Sequence, residues 1–196
     1  MSFPAVRARH LKQTLEGIAA LPEAAAIREK LGELLLKDIQ TANGFDWLPI
    51  EHDLALVRAE RDVLGPERQA AFARAVVNAS FHGPLLGRLV EAAMRLAGTD
   101  PLRWARWIPR GWPLVFSGCG SWAVGDPAAD GTVTLSIAPL PPALVHDEAW
   151  CRSLAASLSA IVDLAGARGG IELTRLDPEA RAATFALRWT RGGSPR

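Results

Sequence analysis

The stretch from residue 130 to residue 137 reads DGTVTLSI, and it marks the change from a helical pattern to a β-sheet pattern. Asp130-Gly131 is a strong hairpin signal, because both residue types tolerate the positive φ angles of a tight turn. The six residues that follow alternate polar and apolar side chains, as a strand with one buried face requires. Residues 121–124 form a short β-like run on the other side of the turn. The stretch therefore predicts an antiparallel hairpin.

The residues after this hairpin predict a helix and a second pair of strands. From residue 146 to residue 165, apolar side chains recur at helical spacing, and a glycine cluster at 166–170 ends the pattern. Residues 171–176 and 183–189 then form two strand-like runs on either side of a turn. Residues 112–116 also predict a short strand. The C-terminal part is therefore predicted as a ββαββ antiparallel sheet with one crossing helix.

The first half of the chain predicts helices that are separated by short breaks. Prolines stand in first helical turns and glycines follow the last turns, which is the usual placement of both residues. The predicted helices cover roughly residues 4–20, 23–41, 49–64, 66–80, 84–97 and 100–108. We therefore predict an α+β fold with about five to six helices before the sheet. We expect one domain over residues 1–190, with a helical part (1–110), a sheet part (111–190) and a loose tail (191–196).

The charge balance argues against nucleic acid as a partner. The 196 residues contain 22 lysines and arginines against 21 aspartates and glutamates, a net charge of +1. Nucleic-acid binders usually carry a strongly basic face, because released counterions supply much of their affinity. No apolar run approaches the roughly 20 residues that a membrane span needs, and charges interrupt the first 21 residues. Two cysteines are too few for a disulfide framework. We expect a cytoplasmic protein that binds neither nucleic acid nor membrane.

Four short motifs carry a resemblance to known domains. They read DWLPI at 46–50, ASFHGPLL at 79–86, RWIPRGW at 106–112 and FALRW at 185–189. In these motifs the chain resembles a domain family of paralogous myxobacterial proteins of unknown function. The order of elements is also similar to that of heme-nitric-oxide-binding domains and vinyl-4-reductase-type domains, which place helices before an antiparallel sheet interrupted by one helix. The resemblance implies that layout and a ligand-sensing role.

The chain departs from the heme-binding members of this group. Those members use a proximal histidine on the helix before the sheet and a Tyr-x-Ser-x-Arg motif that holds the heme propionates. Here residues 100–116 contain no histidine, and the chain contains no tyrosine. The position of the propionate motif reads Ser136-Ile-Ala-Pro-Leu140, without an arginine. Heme without an axial ligand or a propionate clamp has little to hold it, so we expect no heme and no other cofactor.

Metal ligation and common catalytic motifs are not predicted. No two of the four histidines stand at the i, i+4 spacing that places two imidazoles on one helix face, and there is no Cys-x-x-Cys. Gly-x-Ser-x-Gly, a P-loop and a Rossmann fingerprint are also missing. His82 stands at a break between two predicted helices, where it can cap a helix or line a pocket.

Cys119 lies in the most unusual local sequence of the chain, SGCGS at 117–121. One interpretation is a reactive thiol on a tight turn, with glycines that let a substrate approach. The other is a small residue at a strand bend, where the glycines serve the backbone. No catalytic base can be assigned to Cys119 from sequence, which favours the second interpretation.

A cluster of arginines and tryptophans lies just before the predicted sheet. Arg103, Arg106 and Arg110 share one helix face, and Trp107 lies beside them. Arginine forks next to indole planes can hold a carboxylate or a phosphate. The alternative is that the tryptophans pack under the sheet and the arginines stay in water. The cluster supplies the predicted ligand-binding residues, together with His82 and Cys119.

These observations favour a non-catalytic domain that binds a small molecule between the helical part and the sheet. The alternative is a protein-interaction or scaffold module that forms a homodimer. An exposed apolar patch above roughly 600 Å² would favour the alternative, and an enclosed cavity of at least ~300 Å³ would favour ligand binding. A third hypothesis, an enzyme that uses Cys119, requires a base within hydrogen-bond reach of its sulfur.

Overall fold

A computed structural model describes residues 3–81 and 98–191 of the chain. The helices in these ranges that precede the main sheet are α1 (Ala8–Ala19), α2 (Ala24–Leu31), α3 (Glu33–Thr41), α4 (Ile50–Leu64), α5 (Pro66–Phe81), α6 (Pro101–Ala105) and α7 (Ile108–Val115). The predicted helix over 23–41 is broken in two, because Gly32 has a φ of 74° that a helix does not accommodate. The predicted helix over 84–97 lies outside the described residues.

A small three-stranded sheet lies within the helical part. It consists of β1 (Ala5–Arg7), β2 (Trp47–Pro49) and β3 (Phe116–Ser117), all antiparallel, with β1 in the middle. The sequence pattern predicted a helix at residues 5–7 and a strand at residues 112–116. The first prediction is wrong because β1 is too short to show a period, and the second is wrong for residues 112–115 because α7 continues to Val115, whereas Phe116 begins β3. Short apolar runs of this length do not distinguish the two structures.

The main sheet contains β4 (Ser121–Pro127), β5 (Val133–Ala138), β6 (Ala167–Asp177) and β7 (Ala182–Arg191) in the antiparallel order β4-β5-β7-β6. The predicted hairpin between β4 and β5 is confirmed, with Gly131 at a φ of 80°. Between β5 and β6 lie α8 (Pro142–Val145), α9 (Glu148–Leu158) and α10 (Ala160–Leu164). The α+β fold with a helical N-terminal part and a ββαββ sheet is thereby confirmed.

The core lies between one face of the main sheet and the helices. On β5, Val133, Leu135 and Ile137 are buried while Thr134 is exposed, as the alternating pattern predicts. Ser159 separates α9 from α10 and joins them to the sheet, because its Oγ accepts a 2.7 Å hydrogen bond from the Ile171 amide. No helix among the described residues is long and apolar enough to cross a membrane.

Candidate functional site

The predicted arginine–tryptophan cluster lies on the surface formed by α6 and α7. Asp100 caps α6 by accepting a hydrogen bond from the Leu102 amide, which sets the direction of the helix. Arg103, Arg106 and Arg110 are exposed. Their relation to a ligand stays a prediction, since exposure on one surface is compatible with binding but does not establish it.

The arginines of this cluster differ in their contacts. Arg106 Nη2 lies 2.9 Å from Asp126 Oδ1 on β4, in an ion pair open to solvent. The guanidinium carbon of Arg110 lies 5.6 Å from the ring centre of Trp107, within cation–π range. Arg103 has no carboxylate partner within the described residues. Among the described residues, Arg103 and Arg110 therefore have no carboxylate that an external anion would have to replace.

The tryptophans of the same segment divide between the surface and the core. Trp104 and Trp112 are buried, whereas Trp107 keeps 51% of its surface exposed. The simpler interpretation, that the tryptophans pack under the sheet, therefore applies to Trp104 and Trp112 and fails for Trp107.

A buried aromatic cluster lies where the helical part meets the main sheet. Trp112 stacks on Phe116 with 4.1 Å between the ring centres, and Trp122 packs edge to face on Trp112 with 5.7 Å between the ring centres. Phe185 contacts Trp122 at 5.3 Å, and Trp150 contacts Phe116 at 6.2 Å. These side chains come from α7, β3, β4, β7 and α9, so no local sequence pattern could have grouped them.

Two indole N–H groups in this cluster have no acceptor among the described residues. They are Nε1 of Trp112 and Nε1 of Trp122, and both atoms are shielded from solvent. The other buried indoles are satisfied: Trp150 Nε1 donates to Asp53 Oδ2 at 2.7 Å, and Trp104 Nε1 donates to the Gly98 carbonyl at 3.2 Å. Buried tryptophan N–H groups usually have a partner. Trp112 and Trp122, whose rings contact each other, are therefore two neighbouring exceptions to this rule.

A second buried group, Glu60 on α4, is only partly satisfied. Its Oε2 accepts a long 3.4 Å hydrogen bond from Gln69 Nε2, which also donates to Ser153 Oγ at 2.7 Å. Its Oε1 has no partner among the described residues. Burial raises the pKa of Glu60 to about 8, and the negative charge of Asp53 acts in the same direction. Glu60 is therefore mostly protonated at neutral pH.

Cys119 is buried, not exposed on a turn as the reactive-thiol interpretation requires. Its sulfur lies 3.3 Å from the Ser117 carbonyl and 3.9 Å from the Ala5 carbonyl, so its near neighbours are acceptors and not a base. Burial raises the pKa of the Cys119 thiol to about 12. A nucleophilic cysteine needs a lowered pKa, so this environment works against the thiolate.

The remaining predicted site residue, His82, lies outside the described residues. His10 Nε2 lies 3.5 Å from Asp53 Oδ1, and His52 Nε2 lies 3.6 Å from Asp38 Oδ2. In the described ranges, no three histidine, cysteine or carboxylate side chains are grouped as metal ligands.

Helices α6 and α7 offer no axial ligand to heme. The inward side chains of α6 and α7 include Trp104, Ile108 and Trp112, none of which can ligate iron. Arg181 does reach the stretch 136–140, but its Nε donates to the Leu140 carbonyl at 2.7 Å. That nitrogen is therefore engaged with the backbone.

Comparison with known proteins identifies solved structures that share the architecture of this chain. No family model and no curated protein matches the chain. The Fe(II) unliganded H-NOX protein from K. algicida superimposes with a TM-score of 0.62 at 10% identity, over 97% of this chain and 100% of that chain. A point mutant of that protein gives a TM-score of 0.64 at 10% identity, over 94% of this chain and 97% of that chain. The chain therefore has the fold of H-NOX proteins, as its predicted layout indicated.

Proposed function

We propose that this chain is a non-catalytic sensory domain that binds a small molecule, without heme, between the helical part and the sheet. The fold shared with H-NOX proteins supports, by analogy, a sensory domain that binds a small molecule. The absence of catalysis is part of the proposal, because Cys119 lies beside carbonyl oxygens and its thiol stays protonated.

The observation that carries the proposal is the pair of unsatisfied indole N–H groups. Trp112 belongs to the helical part and Trp122 to the main sheet, so the donors come from both sides of the junction. A buried donor without an acceptor costs about 1–3 kcal/mol. A ligand that offers an acceptor to either indole would recover this free energy on binding, so the two unsatisfied donors favour a ligand at this site.

The chemistry of the donors restricts the ligand. Indole N–H groups are neutral, and the carboxylate that contacts the cluster is Asp53, the partner of Trp150. This carboxylate would repel an anionic ligand. The aromatic rings that surround the donors favour an apolar body. We therefore expect a neutral, largely apolar molecule with a carbonyl or ether oxygen.

Native mass spectrometry of the purified chain tests the proposal. We expect a reproducible extra mass on the wild-type protein and on the Trp104→Phe variant, whose lost N–H bonded to the Gly98 carbonyl. We expect the mass to be lost from the Trp122→Phe variant. A wild-type chain without any extra mass, or a mass that Trp122→Phe retains, would contradict the proposal. If each indole N–H donates instead to a single water molecule, the wild-type chain should carry no extra mass.

The absence of heme is tested separately by adding hemin to the purified chain. We expect no sharpened Soret band, since residues 100–116 contain no histidine and residues 136–140 contain no arginine to hold a propionate. A stoichiometric band would contradict this part of the proposal, and its loss in a His82→Ala variant would identify the ligand.

A second candidate function is the binding of a protein partner. Two exposed apolar side chains, Trp107 just before α7 and Leu114 on α7, favour it. This surface faces solvent, whereas Trp112 and Trp122 face the core, so the two functions are compatible in one chain.

A further inference from the structure

Three large apolar side chains are exposed around one end of the small sheet. Phe45 is 77% exposed, Leu114 is 70% exposed and Trp107 is 51% exposed. Trp107 immediately precedes α7 and Leu114 lies seven residues later, so two helical turns place them on the same face. We refer to Phe45, Trp107 and Leu114 as the apolar surface.

The side chain of Arg7 connects the two ends of this surface. Its Nε lies 3.3 Å from the Leu114 carbonyl, and its Nη1 donates to the Phe45 carbonyl. Its guanidinium also stacks on Trp47, 3.7 Å from the ring centre. Because one arginine contacts both backbones, Phe45 and Leu114 lie within a side chain's reach of each other. The positions are held by hydrogen bonds, so the exposed side chains rest on ordered backbone.

The size of the apolar surface suits a short segment better than a second copy of the chain. From the exposed fractions, the three side chains present on the order of 400 Å². This is the range of the largest patch on a typical monomer, and such patches are often functional. A stable dimer buries about 800 Å² per partner, and the patch also falls short of the ~600 Å² expected for a homodimer.

The charges around the surface indicate the chemistry of the segment. Arg103 and Arg110 have no carboxylate partner within the described residues, and Arg110 lies beside Trp107. Their forks can take a carboxylate by two hydrogen bonds.

We propose that the apolar surface, with Arg103 and Arg110, binds a short acidic and apolar segment of a partner protein. The inference deepens the second candidate function and does not depend on the ligand of the aromatic cluster. The apolar side chains of the segment cover Trp107 and Leu114, and its carboxylates pair with the two arginines. Leu34, which is 81% exposed on α3, serves as the matched control because its exposure is not accompanied by these contacts.

Selection of a random dodecapeptide library on the full chain tests this proposal, with the Leu114→Asp variant used to remove unrelated binders. We expect the enriched peptides to combine aspartate or glutamate with large apolar residues. Anisotropy of one labelled peptide should show at least a fivefold loss of affinity in Leu114→Ala and in the Arg103→Gln, Arg110→Gln double variant. Leu34→Ala should bind as the wild type does. Raising the salt from 50 to 300 mM should weaken binding at least threefold.

Three results would overturn the proposal. The first is a selection that enriches no peptides, or enriches basic ones. The second is a concentration-dependent dimer in sedimentation that Leu114→Asp abolishes, which would assign the surface to a second copy. The third is binding of the wild type, but not of Leu114→Asp, to vesicles with 30% anionic lipid, which would assign the surface to a membrane. Because these substitutions are exposed, thermal melts should match the wild type, and the native mass of the ligand complex should not change.

Discussion

Replacing Glu60 by glutamine should remove a pH dependence of stability that the buried carboxyl creates. Glu60 is 2% exposed on α4, and its Oε1 has no partner among the described residues. Glutamine keeps the shape and the acceptor toward Gln69 but cannot ionise. The groups that face Glu60 are Asp53 on its own helix, Gln69 on α5 and Ser153 on α9. Only Asp53 among them carries charge.

The magnitude follows from the two states of the carboxyl. Its pKa is about 8 in the folded chain and 4.5 in the unfolded chain, so folding takes up a proton between these values. The contribution of Glu60 to stability is therefore fully present below pH 4.5 and is lost as the pH rises through 8. Each pH unit inside the window corresponds to about 1.4 kcal/mol. From pH 5.5 to 7.5 the wild type should lose about 2–3 kcal/mol relative to Glu60→Gln.

Urea unfolding followed by tryptophan fluorescence measures this difference. Wild type, Glu60→Gln and the exposed control Glu67→Gln are compared at half-unit steps between pH 5.5 and 8.5. The wild type and Glu67→Gln should show parallel losses, and Glu60→Gln should be flatter. Taking the difference between variants cancels the other titrating groups. A difference below about 0.5 kcal/mol across the range would refute the reasoning, since it would mean that the folded carboxyl is hydrated.

Three further results are expected. Gly169→Ala should lower the free energy of unfolding by about 3 kcal/mol or more, because the φ of Gly169 is 138° and a Cβ there would overlap the β7 backbone. Gly111→Ala is the control, because Gly111 has open space around it, and this variant should gain up to about 1 kcal/mol of stability. Thermal unfolding measures both changes. Asp163→Asn should lower the stability of the fold by about 1 kcal/mol at pH 7, because Asp163 accepts a 2.6 Å hydrogen bond from Arg74 that lowers the pKa of its carboxyl. The loss of stability should fade as the pH drops toward 3. An equal loss at both pH values would contradict the ion pair. A thiol reagent should modify Cys119 within minutes only after denaturation, because burial raises the pKa of its thiol to about 12, and fast modification of the native chain would contradict that burial.

Much of the fold could be predicted because its elements are long enough to show a period. The alternation over 132–137 and the Asp130-Gly131 turn placed the first hairpin, and the apolar spacing over 146–165 placed the crossing helix. Residues 5–7 and 112–115 were assigned wrongly, because three to five residues do not contain a period. The strand at residues 5–7 follows from its pairing with β2 and β3, which are far apart in sequence.

For the candidate site, the sequence identified the residues and the tertiary structure decided which of them are exposed. Sequence alone identified the arginine and tryptophan positions of α6 and α7, because a helix places residues three or four apart on one face. Sequence alone also showed that the Asp100–Phe116 segment lacks a heme ligand. Which tryptophan turned outward depended on what packs against each side of the helix, and only the tertiary structure decided that Trp107 is exposed.

The aromatic cluster and the buried carboxyl were decided by tertiary structure alone. Trp112 and Trp122 have no acceptor among the described residues, because the strands and helices that pack around them come from distant parts of the chain and leave none within reach. Glu60 reads in sequence as an ordinary helical glutamate, and its pKa of about 8 arises because α5 and α9 exclude water from it. Sequence determines local conformation through periodicity and backbone preference. Hydrogen-bond satisfaction and desolvation depend on every neighbour at once, and those neighbours exist only in the folded chain.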